Sequence, residues 1–364
     1  MFFNSIDFAI FLPIVFLLYW FVTNKSLKSQ NALIVISSYV FYGWWDWRFL
    51  SLIIFSTVVD YLVGQKLKTL VHHFKRKVLL WTSIIVNLGF LGFFKYYNFF
   101  LENFVDAFSL FGIQINTNSL NIILPVGISF YTFQTLSYTI DVYRKKLEPT
   151  EDFIAFSAFV CFFPQLVAGP IERATSLLPQ FYRKRIFQYN KAVDGLRQVL
   201  WGLFKKIVIA DNAAQIANLI FNNSSDYSGS TLVLGAIFFT FQIYCDFSGY
   251  SDIAIGTSRL FGFNLKQNFA TPYFSRDIAE FWRRWHISLS TWFRDYLYIP
   301  LGGSRGGTWI KVRNTFAIFL VSGFWHGANW TFIIWGALNA IYFLPLLLTN
   351  NNRKNLGIVA EGKL

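Results

Sequence analysis

The stretch Phe316-Ala-Ile-Phe-Leu-Val-Ser-Gly-Phe-Trp-His-Gly-Ala-Asn-Trp-Thr-Phe-Ile-Ile-Trp-Gly-Ala-Leu-Asn-Ala-Ile-Tyr-Phe-Leu-Pro-Leu-Leu-Leu348 is an apolar run long enough to cross a bilayer, with one histidine, His326, inside it. Ionisable groups at membrane depth are costly and usually line a cavity or a reaction path. An imidazole can also transfer protons near neutral pH. His326 is therefore the first candidate for chemistry. The alternative is an imidazole that only holds helices together through hydrogen bonds.

The chain as a whole has the composition of a multi-pass membrane protein. Of its 364 residues, 54% are hydrophobic and 14% are charged, whereas soluble domains carry about 25% charged residues. We predict an all-α fold, a polytopic helical bundle, with residues 1–348 as a single membrane domain and 349–364 as a short polar tail. The candidate membrane segments are 6–22, 31–47, 49–64, 78–94, 120–142, 153–169, 194–221, 231–248, 312–327 and 329–348.

One candidate segment is interrupted by prolines. The stretch Cys161-Phe-Phe-Pro-Gln-Leu-Val-Ala-Gly-Pro170 contains two of them, and proline removes a backbone donor and breaks helices. Apolar segments with internal Gly and Pro often re-enter the membrane or line a cavity. We therefore expect a re-entrant segment here, not a lipid-facing helix.

The net charge of +13 comes from Lys and Arg scattered between the apolar segments. The positive-inside rule places the basic loops in the cytoplasm, and residues 96–118, which hold no Lys or Arg, in an outer loop with the N-terminus outside. Scattered charges do not suit nucleic acid, so no nucleic-acid partner is predicted. The two cysteines and four histidines form no metal-binding motif, so no metal is expected.

The segment 259–313 combines nine basic residues with three acids and many aromatics. Arg alternating with aromatics at helical spacing is typical of a helix in the membrane interface, so we predict one over 278–299 on the cytoplasmic side. His286 lies within it, in Phe281-Trp-Arg-Arg-Trp-His-Ile-Ser-Leu-Ser290. It is either one more amphipathic side chain or a second histidine that enters the same cavity as His326.

Two polar motifs have both a structural and a functional interpretation. The loop Leu301-Gly-Gly-Ser-Arg-Gly-Gly307 could bind phosphate through its backbone amides, but it lacks the nucleotide-binding patterns and we favour a flexible connector. Asp246, Ser248 and Asp252 interrupt the end of an apolar segment. We expect them to pair with Arg residues of the following segment, which is a structural role.

The immediate neighbours of His326 favour a neutral imidazole. Trp325 and Trp330 flank it, Gly327 allows close backbone approach, and Asn329 could orient the ring. Burial disfavours the charged form of an imidazole. A neutral ring is the form that a general base requires.

Five motifs, taken together and in order, resemble those of the membrane-bound O-acyltransferase family, in particular its alginate O-acetyltransferase-like branch. The resemblance extends from about Phe3 to Leu348. The motifs are Phe163-Pro-Gln-Leu-Val-Ala-Gly-Pro-Ile-Glu-Arg173, Tyr244-Cys-Asp-Phe-Ser-Gly-Tyr-Ser-Asp-Ile-Ala254, Phe281-Trp-Arg-Arg-Trp-His-Ile-Ser-Leu-Ser290, Arg294-Asp-Tyr-Leu-Tyr-Ile-Pro-Leu-Gly-Gly303 and Phe324-Trp-His-Gly-Ala-Asn-Trp330.

The resemblance implies a helical bundle with re-entrant segments around a central tunnel, and catalytic positions at His326 and His286. It also implies that an acetyl group passes from cytoplasmic acetyl-CoA to an extracytoplasmic polysaccharide hydroxyl, with a periplasmic or extracellular transferase as partner, in the bacterial inner membrane. Relatives in this branch are commonly longer, so the chain is either a compact member or lacks a C-terminal part.

The mechanism that we predict uses His326 as general base, while basic residues of 259–313 attract the phosphates of the donor. The candidate substrate-binding residues are Trp325, Asn329, Trp285, Arg283, Arg284 and Arg305. Three alternatives stay open. They are D-alanyl transfer from a carrier protein to teichoic acid, a transporter without acyl chemistry, and a structural subunit that recruits a soluble transferase.

Overall fold

The computed structural model describes residues 1–113, 120–167 and 169–355, and the regular secondary structure in these ranges is helical. This confirms the predicted all-α class. The α-helices are α1 Ile6–Leu17, α2 Leu27–Asp46, α3 Leu50–Thr69, α4 His73–Leu91, α5 Tyr97–Ser109, α6 Ile128–Tyr143, α7 Phe153–Cys161, α8 Phe163–Leu166, α9 Ala174–Leu177, α10 Tyr189–Leu203, α11 Asp211–Asn222, α12 Gly229–Leu260, α13 Ile278–Arg284, α14 Ile287–Phe293, α15 Thr308–His326 and α16 Trp330–Leu348.

Short 3-10 and π-helical segments connect several of these helices. The 3-10 segments are Trp47–Phe49, Leu178–Tyr182, Ser224–Asp226 and Pro272–Phe274, and the π segments are Leu18–Val22, Gly92–Tyr96, Phe204–Ala210 and Arg294–Tyr298. Lys95, Lys205 and Asp295 lie in three of the π segments, and each makes polar contacts inside the protein. Widened helical turns of this kind often mark functional positions.

Four helical stretches are long and apolar enough to cross a membrane, and the protein is multi-pass. They are Leu27–Thr69, which combines α2 and α3, His73–Ser109, Gly229–Leu260 and Trp330–Leu348. Their outer faces expose large apolar side chains such as Ile36, Ile85 and Val233. A continuous apolar surface of this kind suits contact with lipid tails.

The interrupted segment lies in the interior of the bundle, as the proline pattern predicts. α7 and α8 meet at Phe162, where the backbone (φ −50°, ψ 103°) leaves the helical region just before Pro164. Phe159, Phe162 and Phe163 have no exposed surface, and they pack against α1, α2 and the end of α12. The break is covered by protein, which satisfies the rule that irregular backbone does not face lipid.

Three predicted boundaries are wrong. The segment 120–142 is helical only from Ile128, after Gly127 in the left-handed region (φ +78°). The outer loop 96–118 is mostly helix α5, while its residues 114–119 lie outside the described ranges. The interfacial helix 278–299 is two short helices and a π segment, because the chain leaves the helical conformation at Trp285 and His286.

The acidic residues that seemed to end the segment 231–248 lie within α12, which continues to Leu260. Their predicted Arg partners are wrong. Lys205 pairs with Asp252 and donates to Ser248 at 3.0 Å, while Lys206 pairs with Asp246. Both lysines precede α12 in the chain. Because these charges are neutralised within the bundle, the helix does not have to end where they begin.

α15 and α16 form a close hairpin at the C-terminal end of the membrane domain. A Cβ at Gly323 would lie 2.2 Å from the carbonyl oxygen of Phe332, and a Cβ at Gly336 would lie 2.4 Å from that of Phe319. Small residues allow helix backbones to approach this closely in membranes. The hairpin holds His326 at the last position of α15, next to the turn into α16.

Candidate active site

His326 is half-buried at the C-terminal end of α15. Its ring lies between Trp325, with ring centroids 4.9 Å apart, and Trp335 of α16, with centroids 5.4 Å apart. Within the described part of the chain, no group hydrogen-bonds to the imidazole. Aromatic walls fix the orientation of the ring and leave its nitrogens available for other contacts.

His286 lies at the break between α13 and α14, in the left-handed region with φ 43°. The backbone around it is clamped by the buried Asn268. The Ile287 N–H donates to the Asn268 carbonyl at 2.9 Å, and the N–H and hydroxyl of Ser288 donate to Asn268 Oδ1 at 3.2 and 2.9 Å. A left-handed conformation costs free energy in a residue with a side chain, and such residues cluster at functional sites.

The His286 ring is almost completely buried, with 2% of the residue exposed. The ring of Phe247 lies perpendicular to it at a centroid distance of 4.6 Å. Neither ring nitrogen has a hydrogen-bond partner among the atoms that the structure describes. Buried polar atoms are normally hydrogen-bonded, so these two nitrogens are candidates to contact a substrate.

The two histidines meet at one cavity. Their ring centroids are 6.4 Å apart, which places the nitrogens of one ring beyond hydrogen-bonding distance of the other. Both line a cavity of about 240 Å³ between α13, α14, α15 and α16. A substrate atom between the rings could therefore contact both.

The cavity follows one face of α15. Thr315, Ile318, Ser322 and His326 all line it, and their spacing of three or four residues places them on a single stripe of the helix. The eleven helical steps from Thr315 to His326 correspond to about 16 Å along the helix axis. The lined face thus leads along α15 to the two histidines.

The mouth of the cavity is polar and basic. Of the lining residues, Arg294, Ser304 and Arg353 are exposed and so mark the mouth, whereas the apolar Leu289 and Phe293 are buried. Arg294 pairs with Asp295, and Arg353 is exposed. The mouth can therefore attract an anionic molecule.

Three predicted substrate-binding residues lie on α13 or directly after it. Trp285 lines the cavity beside His286. Arg283 donates to the carbonyl oxygen of Asn352 at 3.1 Å and so holds the polar tail against α13. Arg284 pairs with Glu280, whose carboxylate also binds Arg276. Hydrogen bonds from Arg276 lower the pKa of Glu280 to about 2.

The other three predicted substrate-binding residues, like Arg283 and Arg284, are not among the lining residues of the cavity. Trp325 is buried next to both histidine rings, and it stacks on Phe133 of α6 with ring centroids 5.6 Å apart. Asn329 accepts from the Thr331 N–H at 2.9 Å and so caps α16, with no bond to the His326 ring. Arg305 is exposed on the loop before α15.

Two residues near the histidines were missed by the sequence analysis. Lys95, in the π segment Gly92–Tyr96, donates to the carbonyl oxygen of Trp325 and lies 5.4 Å from the centroid of the Trp325 ring. Its position at the end of an apolar segment was a usable signal, since such cations are costly without a role. Asn268 gave no signal, because its bonds to Ser288 depend on tertiary structure.

In the part of the chain that the structure describes, no group of three or more His, Cys, Asp or Glu side chains could hold a metal ion. These helices and side chains define a multi-pass helical membrane protein in which two histidines line one cavity with a basic mouth. The helical membrane fold is the one that the sequence motifs imply.

The chain belongs to the membrane-bound O-acyltransferase family, whose model matches residues 147–357. It is 44% identical to a probable alginate O-acetylase of Azotobacter vinelandii over 92% of this chain and 66% of the relative. It is also 38% identical to a peptidoglycan O-acetyltransferase of Helicobacter pylori, over 91% of this chain and 67% of the relative. A teichoic acid D-alanyltransferase of Bacillus subtilis is 30% identical over 61% of this chain and 58% of the relative.

These comparisons confirm the family and the branch that the sequence motifs indicate. The chain spans about two thirds of the length of the first alginate O-acetylase relatives that it matches, 66% and 64% of their residues. The activity, substrates and partners of the whole protein are therefore matters for proposal.

Proposed function

We propose that this protein transfers an acetyl group from cytoplasmic acetyl-CoA to a hydroxyl of an extracytoplasmic polysaccharide. The observation that carries the proposal is the meeting of His286 and His326 in one cavity with a basic mouth. The activities for which two relatives are named, probable alginate O-acetylase and peptidoglycan O-acetyltransferase, support a carbohydrate acceptor. We place the protein in the bacterial inner membrane, with a periplasmic or extracellular transferase as partner.

In this proposal the donor enters from the mouth of the cavity. Arg294 and Arg353 are suited to the phosphates of coenzyme A, because guanidinium groups bind phosphate strongly. The thioester end then extends along the face of α15 that runs from Thr315 to His326. The apolar lining excludes water there, which protects the thioester from hydrolysis.

His326 acts as general base in the proposed reaction. Its neutral imidazole takes the proton of the acceptor hydroxyl as that oxygen attacks the thioester carbonyl carbon. The C–S bond then breaks, and the coenzyme A thiolate receives the proton from the imidazolium. The products are the acetyl ester and free thiol. The ring of His286, 6.4 Å from that of His326, can donate a hydrogen bond to the carbonyl oxygen as negative charge develops on it.

The test uses inside-out membrane vesicles, which expose the cytoplasmic face to added donor. Labelled acetyl-CoA should give labelled polymer inside the vesicles and free thiol outside, whereas sealed right-side-out vesicles should give neither. We expect His326→Gln to lower transfer by about 10²-fold or more, because positioned general bases contribute about 10²–10⁴-fold. His72→Gln is the matched control, since His72 is exposed in a basic loop. Transfer by His326→Gln at the parental rate would refute the proposal.

The same vesicles distinguish the alternatives. A D-alanyl transferase would accept label from a D-alanyl carrier protein and not from acetyl-CoA, and the teichoic acid D-alanyltransferase relative makes this the second candidate. A transporter would move solute without releasing thiol. A purely structural subunit would tolerate the loss of both His286 and His326.

A further inference from the structure

A second concavity of the described structure lies away from the histidines. It has a volume of about 560 Å³ and is formed by residues 175–192, the end of α12 with the loop after it, and Trp20 at the end of the first apolar helix. We call it the basic pocket. Its cationic lining residues are Arg183, Lys184, Arg185, Lys191 and Arg259. It has no lining residue in common with the histidine cavity.

The charge of the basic pocket is not balanced by protein. No Asp or Glu lines it among the residues that the structure places. Arg259 pairs with Asp194 beside the pocket. Arg183, Lys184 and Lys191 are exposed and take part in no ion pair within the described ranges. A concave surface with one sign of charge concentrates ligands of the opposite sign.

Arg185 adds a buried cation to the wall of the pocket. It is only 8% exposed, and its guanidinium lies 4.9 Å from the ring centroid of Phe263. Nη2 donates to Asn31 Oδ1 at 2.7 Å, whereas Nε and Nη1 have no partner in the described structure. No carboxylate pairs with it there. A buried charge without a counter-charge is costly, so an anion in the pocket would stabilise this arrangement.

The first turn of α10 also favours an anion in the basic pocket. Gln188 and Lys191 line the pocket, and the helix begins at Tyr189 without a side-chain cap on its backbone amides. Uncapped amides at the N-terminus of a fifteen-residue helix carry partial positive charge and favour phosphate groups. Together with the guanidinium and ammonium groups they form a donor set suited to phosphate oxygens.

From these observations we infer that the basic pocket binds a phosphate-bearing anion at the membrane surface. Apolar side chains beside the cations favour an anionic lipid, through its phosphodiester headgroup, as the molecule that carries the bound phosphate. Ile186 and Phe187 line the pocket and are 71% and 45% exposed, whereas Trp20, which also lines it, is buried. Exposed apolar side chains next to cations suit a surface that meets lipid. Free inorganic phosphate is the alternative ligand, since it presents the same oxygens to the pocket.

The test measures binding to the full chain, purified in neutral detergent, without any acyl donor. Its outcome is therefore independent of the proposed acetyl transfer. The pocket variant carries Arg183→Gln, Lys184→Gln and Lys191→Gln. The control variant carries Lys66→Gln, Lys75→Gln and Lys77→Gln, which removes the same charge from exposed residues outside the pocket. The probes are fluorescent phosphatidylglycerol, phosphatidylcholine, and sodium phosphate against potassium chloride at equal ionic strength.

We expect phosphatidylglycerol to bind and phosphatidylcholine not to bind. The pocket variant should weaken the Kd at least about tenfold, since charge-assisted hydrogen bonds to phosphate are lost, and the control variant should change it by less than about twofold. The same pattern with sodium phosphate would identify free phosphate as the source. Equal weakening in both variants, no weakening in either, or an equal response to potassium chloride would overturn the inference. If the pocket variant fails to fold, Lys184→Glu alone replaces it, with the same expectations.

Discussion

Replacing Gly323 by alanine should displace His326, because α15 and α16 touch at this residue. The added Cβ would lie 2.2 Å from the Phe332 carbonyl oxygen and 3.3 Å from the Gly336 Cα. Non-bonded atoms of this kind pack at about 3.5 Å, so the two helices have to separate by about 1 Å. Both contacts are with backbone atoms, which cannot rotate away as a side chain would.

The size of the effect follows from this separation. Overpacking of a well-packed interface costs about 1–3 kcal/mol of unfolding free energy. His326 lies three residues further along α15 and moves with the helix. A displacement of about 1 Å at a catalytic group can lower the rate about 10²-fold. We therefore expect a modest loss of stability and a large loss of transfer.

The assay combines thermal unfolding in detergent with labelled transfer in inside-out vesicles. Gly89→Ala is the matched control, because a Cβ at Gly89 in α4 meets nothing within 4 Å. That variant should be slightly more stable than the parent, since alanine is favoured over glycine in helices by about 0.5–1 kcal/mol. Equal unfolding midpoints and equal transfer rates for Gly323→Ala and Gly89→Ala would contradict this prediction.

Three further predictions concern polar groups inside the bundle. Asn268→Ala removes the acceptor of two Ser288 bonds and should cost about 2–5 kcal/mol in thermal unfolding, whereas Asn268→Asp, which keeps that oxygen, should lose less. Lys95→Met removes the donor to the Trp325 carbonyl and should lower transfer in vesicles that contain normal amounts of protein; an unchanged rate would rule out a role beside His326. Asp252→Asn leaves the Lys205 ammonium without its counter-charge and should cost about 3 kcal/mol, and adding Lys205→Met should restore part of this in a double-mutant cycle.

The sequence predicts the helical class and the buried break because both depend on local chemistry. Apolar runs of sufficient length form membrane helices, and Pro164 lies in the first turn of α8, directly after the break at Phe162. The position of His326 near the end of a long apolar helix is also a local property. These features need no knowledge of what lies next to them in space.

Other features depend on distant partners and could not be predicted in this way. α12 continues through Asp246 and Asp252 because lysines about forty residues earlier neutralise them. The spacing of His286 and His326 is compatible with a shared cavity, but the left-handed turn at His286 and its clamp by Asn268 decide that the rings meet. The prediction of one continuous interfacial helix over 278–299 was wrong for the same reason. The period of aromatic and basic residues continues across a break that only tertiary contacts create.

The π segments make some helices intolerant of changes in length. A π turn holds one more residue than an α turn, and Lys95 reaches the Trp325 carbonyl from such a turn. Deleting one residue from Gly92–Tyr96 would rotate every following side chain of that helix by about 100°. We therefore expect selection to remove single-residue deletions within Gly92–Tyr96 more strictly than amino-acid replacements on the lipid-facing side of the same helix.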